Sequence, residues 1–164
     1  MIWFACYILT IAAANAAIAA FGLVPVGFGL MAPAGVVFAG LALTCRDFTQ
    51  EALGRRWSVA AILVGAAFSW LISPAFALAS ATAFLVSELA DYAAYQPLRE
   101  RNWLAAVAAS NTAGLVVDSA LFLWLAFGSL EFLAGQVWAK LMVTVATVAV
   151  LWMVRRRQAV ALVA

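Results

Sequence analysis

The stretch FLVSELADYAAYQPLRERNW, residues 84–103, decides how the chain is read. It starts as an apolar helix, yet Glu88 and Asp91 lie inside it, and Arg99 and Arg101 follow Pro97. Residues three apart share a helix face, and Tyr95 extends that face by four more. Proline disfavours helix continuation, so the helix closes before Pro97 and the arginines mark its boundary. Acceptors on one face of an apolar helix, with cations at its end, are the pattern of a membrane span whose polar face looks inward.

The rest of the chain fits that reading. Of its 164 residues, 68% are hydrophobic and only 10% are charged. A soluble domain carries about a quarter charged residues, so the bilayer must be the main solvent here. At about 20 apolar residues per span, the length allows six crossings and little else. The runs fall at about residues 2–22, 30–53, 57–72, 76–95, 103–127 and 132–154, within a single integral membrane domain over 1–164. VPVGFG (residues 24–29) reads as a tight uncharged turn. The first run lacks the basic leading region of a signal peptide and reads as a retained helix.

Basic residues sit after every even-numbered run: Arg55 and Arg56, then Arg99 and Arg101, then Arg155, Arg156 and Arg157. The connections after runs 1 and 3 are uncharged, and the one after run 5 holds only Glu131. Loops rich in Lys and Arg stay in the cytoplasm. The expectation is an all-α, six-span protein of the cytoplasmic (inner) membrane with both termini cytoplasmic.

Ionisable groups inside spans are costly and face a bundle interior or a hydrated cavity. Asp47 and Glu51 lie late in run 2, Glu88 and Asp91 in run 4, Asp118 in run 5 and Lys140 in run 6; Asn15 and Asn111 add amides. Asp118 stands roughly 22 Å above the cytoplasmic end of its run and Lys140 roughly 21 Å above the end of its own, from the helical rise. Opposite charges at matched height suggest a pair, whether for packing or for function. Asn111, Gly114 and Asp118 form one stripe. Glu51 is placed to meet Arg55 at i+4, and the alternative to an inward-facing role for Glu88 and Asp91 is that they sit at the interface and pair with Arg99. Three helices thus send acceptors and an amide into the cytoplasmic half. A carboxylate accepts two N–H donors side by side, the match for an amidine-like edge of a small ligand. Phe48, Tyr92 and Phe122 are near enough in sequence to stack on a flat ring or simply to pack.

The composition also weighs against other classes. There is no histidine, and Cys6 and Cys45 are isolated, which leaves no metal cluster or nucleophile–base pair and points away from an enzyme. No cofactor, metal or nucleic-acid partner is expected. No Walker motif is present, so the chain does not itself hydrolyse ATP.

Four segments occur in an order that resembles the queuosine precursor transporters, a vitamin-uptake-transporter-like family of six-helix membrane proteins. They are FAGLALTCRDFTQEALGRR (residues 38–56), ATAFLVSELADYAAYQPLR (81–99), AASNTAGLVVDSALF (108–122) and VWAKLMV (137–143). The resemblance implies uptake of 7-deazaguanine bases such as preQ0 and preQ1, a purine-like small-molecule cargo. It implies a bundle like the substrate-binding components of energy-coupling-factor transporters, with Asp47, Glu88, Asp91, Asn111, Asp118 and Lys140 lining the substrate path. The alternative is a substrate-binding subunit for a vitamin or another purine, energised by an ATPase partner. The ladder Ala12, Ala16, Ala20 would admit a partner helix or serve internal packing. Self-association is left open.

Overall fold

A computed structural model describes residues 1–98 and 100–161; side chains are described for these except at 103, 104, 107, 108, 148 and 151–161. The chain is mostly helical: α1 (Ile2–Phe21), α2 (Val36–Leu53), α3 (Arg55–Trp70), α4 (Pro74–Tyr95), α5 (Trp103–Phe127) and α6 (Leu133–Ala161). Between α1 and α2 lies an antiparallel hairpin of β1 (Leu23–Gly27) and β2 (Leu30–Pro33).

The hairpin corrects the expectation of an all-α chain. Residues 30–33 are a strand, so α2 starts at Val36 rather than near 30. Phe28 (φ 53°) and Gly29 (φ 75°) link the strands, and two consecutive positive φ values match the right-handed strand twist. Helices α1, α3, α4 and α5 run close to the apolar runs, while α6 continues past the expected end at 154 to Ala161. Pro74 occupies the first turn of α4, where its missing N–H costs nothing. The Asn102 side chain caps α5 by accepting from the Ala105 N–H at 3.0 Å.

Helix α4 lies along α5, α1 packs on α2 and α3, and α6 packs on α2 and the hairpin. Two glycines set these distances. A Cβ on Gly35 would stand 2.3 Å from the Ala14 carbonyl oxygen, and one on Gly135 would stand 2.1 Å from that of Met31. Close backbone approach through small residues is the usual way membrane helices gain contact. A core of Tyr7, Ile11, Ala42, Ala61, Ile62 and Phe84 joins α1 to α4.

Polarity is inverted relative to a water-soluble protein. Leu9, Phe68, Leu89 and Trp124 are exposed on the outside, while Arg46, Glu88, Asp118 and Lys140 are buried. Among the described residues, Ile2–Phe21 and Ala109–Phe127 are long and apolar enough to cross a membrane. The 16 residues of α3 rise roughly 24 Å, less than a typical hydrocarbon core, and α2 and α4 carry charges within their length.

Candidate functional site

The C-terminal parts of α2 and α4, the start of α3 and the first half of α5 border an open chamber of about 400 Å³, lined by Asp47, Gln50, Arg55, Glu88, Asp91 and Asn111, with Tyr92 among others. Glu88 and Asp91 share a face of α4 because they are one turn apart, and that face is turned toward α2 and α5. On α5, Gly114 lies against Asp91: a Cβ there would sit 3.5 Å from the Asp91 Cβ.

At the edge of the chamber sits Arg46, buried on α2. Its Nη2 donates to Asp47 Oδ1 at 2.8 Å and its Nε to the same oxygen at 3.0 Å. Its Nε also stands 3.1 Å from Glu88 Oε1, and its Nη2 stands 3.4 Å from Asp91 Oδ2. Three carboxylates from two helices thus converge on one guanidinium. The Nε carries a single hydrogen, directed at Asp47, so the Glu88 contact is electrostatic. Glu88 Oε1 is buried and accepts no hydrogen bond. Glu88 Oε2 accepts from Gln50 Nε2 at 2.7 Å. Arg55 reaches the Glu88 carbonyl oxygen at 3.3 Å and lies 4.9 Å from the Tyr92 ring centre.

A second space of about 270 Å³ opens between α2, α5 and α6, and it shares Asp47 and Asn111 with the first. Asn111 is exposed toward both, and among the described residues its amide makes no hydrogen bond.

Deeper in the bundle, Lys140 Nζ donates to Asp118 Oδ2 at 2.5 Å and to Ser119 Oγ at 3.1 Å. Lysine and aspartate are almost fully shielded, which a buried ammonium tolerates only with a counter-charge. They border a cavity of about 20 Å³ with Ser80, Phe84, Phe122 and Gln136, room for about one water. Gln136 Oε1 is buried there without a hydrogen-bond donor. Asn15 accepts from Ser80 Oγ at 2.8 Å, close to the same cavity.

The structure brings Asp47, Glu88, Asp91 and Asn111 together and sets Asp118 and Lys140 apart as a separate buried pair. The Asn111–Gly114–Asp118 face of α5 runs from the chamber to that pair. Several expected contacts differ. Arg55 turns to Glu88 and Tyr92 rather than to Glu51. Phe48 stacks on Trp3 with ring centres 4.6 Å apart, and Phe122 lies edge-on to Phe127, which leaves Tyr92 as the ring of the three that lines the chamber. Arg99, the alternative partner for Glu88 and Asp91, lies outside the described residues. Arg46 is the member of this cluster that sequence reasoning misses. Its signal is an arginine inside an apolar span, a position that demands a buried acceptor. Among the described residues no His, Cys, Asp and Glu side chains group to hold a metal ion.

A family model described as "Putative vitamin uptake transporter" matches residues 67–155, more than half of the chain. The chain belongs to this family. The matched segment carries Glu88, Asp91, Asn111, Asp118 and Lys140, while Arg46 and Asp47 precede it. No curated protein and no solved structure matches the chain. Membership of a transporter family and two helices of membrane-spanning character agree with the inverted polarity of the bundle.

Proposed function

We propose that the chain is an uptake transporter of the cytoplasmic membrane, with six spans arranged like the substrate-binding components of energy-coupling-factor transporters and both termini in the cytoplasm. Its cargo is a 7-deazaguanine base, a precursor of queuosine. The observation that carries this reading is the convergence of Asp47, Glu88, Asp91 and Asn111 on one chamber of about 400 Å³. That volume lies in the range of small-molecule sites, about 300–1,000 Å³. A 7-deazaguanine presents a ring N–H and an exocyclic amine to a carboxylate, and a carbonyl to the Asn111 amide. Tyr92 and Tyr95 supply aromatic wall. In this reading Glu88 or Asp91 binds the donor edge, and the Lys140–Asp118 pair lies further along the path.

Uptake of labelled precursor by cells unable to make it tests the assignment. Asp91→Asn keeps the side-chain shape and removes the charge, so uptake falls at least tenfold, the scale of one charge-assisted hydrogen bond at about 1.5–3 kcal/mol. Normal uptake at normal protein level would overturn it. The reading as a binding subunit with an ATPase partner predicts instead that uptake stops when that partner is absent.

A further inference from the structure

We propose that Arg46, buried at the edge of the chamber, acts as an internal stand-in for the cargo, and that a ligand with a planar pair of N–H donors takes its place on Glu88 and Asp91. This rests on the transporter reading above and names the recognition chemistry of the same site.

Asp47, Glu88 and Asp91 surround one guanidinium. A guanidinium is a rigid planar fork, and its best partner is a carboxylate facing two parallel N–H groups. Arg46 achieves no such pairing. Among the described residues, both of its side-chain hydrogen bonds go to the same Asp47 oxygen, a neighbour in sequence. Toward α4 it offers only proximity, 3.1 Å to Glu88 Oε1 and 3.4 Å to Asp91 Oδ2. Glu88 is 5% exposed, it lines the chamber, and its Oε1 receives no hydrogen bond. A buried carboxylate oxygen without a donor is costly to maintain. The site on α4 is therefore under-satisfied by its own arginine.

An incoming N–C–N edge with two N–H groups supplies what Arg46 does not: directed hydrogen bonds to Glu88 Oε1 and Asp91. Arg46 keeps its Asp47 bonds in the exchange, because these lie within α2. The link between α2 and α4 then passes from an arginine bridge to the cargo itself. A ligand that moves this equilibrium must bind the two arrangements with different strength, and the donor fork does so.

The test uses the purified full chain in lipid nanodiscs, with Arg46→Gln and Arg46→Lys beside the wild type. Guanidinium chloride is the probe, with methylammonium chloride at equal concentration as the charge-matched control. In both variants guanidinium raises the melting temperature more than methylammonium does, because only guanidinium restores a planar fork. Both variants also bind a 7-deazaguanine base more tightly than wild type, by about tenfold if the competing side chain leaves the site free in a tenth of molecules. Guanidinium displaces that base. Equal stabilisation by the two cations, or weaker binding of the base in both variants, overturns the proposal. A wild type and variants that bind no 7-deazaguanine, while the variants still prefer guanidinium, would refute the cargo assignment and leave the fork site standing. The lysine variant keeps one positive charge in the cluster and covers the case in which the glutamine variant does not fold.

Discussion

Replacing Lys140 by methionine removes the ammonium and keeps most of the side-chain length. Its Nζ holds Asp118 Oδ2 at 2.5 Å and Ser119 Oγ at 3.1 Å, and neither carboxylate nor ammonium reaches solvent. Methionine leaves the Asp118 carboxylate buried without its counter-charge. Removing one partner of a buried pair costs about 3–5 kcal/mol. For a chain of this size each kcal/mol moves the melting temperature by roughly 2–4 °C, so Lys140→Met melts on the order of 10 °C below wild type. The double variant Asp118→Leu/Lys140→Met removes both charges and returns to within about 1 kcal/mol of wild type, since hydrophobic replacement of a whole buried pair is often neutral. A double-mutant cycle by thermal unfolding in nanodiscs therefore shows a large coupling between the two positions. A single variant as stable as wild type, or a double variant that loses the sum of both single losses, refutes the view that the two charges exist in the bundle only as a pair.

Two further changes test the frame that positions the chamber. Gly135→Ala places a Cβ 2.1 Å from the Met31 carbonyl oxygen and forces α6 away from the hairpin, so stability falls by about 1–3 kcal/mol, read by thermal unfolding. Asn102→Ala removes the cap on the Ala105 N–H and costs about 1 kcal/mol, while Asn102→Asp, which keeps the acceptor, stays near wild type.

Much of the bundle was readable from the chain because lipid solvent imposes simple rules. Long apolar runs became helices, with ends close to the expected ones where Pro74, Asn102 and Gly128 punctuate them chemically, whereas α6 runs seven residues past the expected end at 154. The Asp118–Lys140 contact followed from equal heights on adjacent helices, which the constant rise of a helix makes computable. The hairpin was hidden for a physical reason. LMAP (residues 30–33) is as apolar as a span, so hydropathy merges it with α2, and Phe28 stands where Asn or Gly would advertise the turn. Arg46 was hidden differently. Beside Asp47 it looks charge-balanced, and sequence spacing says nothing of contacts between α2 and α4. Its position among Glu88 and Asp91 arises from helix packing alone, and it changes the chamber from a set of empty acceptors into one held by an internal donor.

The central claim is that carboxylates on α2 and α4 form a receptor for a flat, donor-bearing heterocycle. Thermal unfolding of the wild-type protein against a panel of 7-deazaguanines, purines and vitamins tests it most directly, because a ligand that binds only the folded form raises its melting temperature. The account predicts a rise with 7-deazaguanine bases that Asp91→Asn abolishes. No rise with any of these bases, or an equal rise in the Asp91→Asn variant, would contradict it.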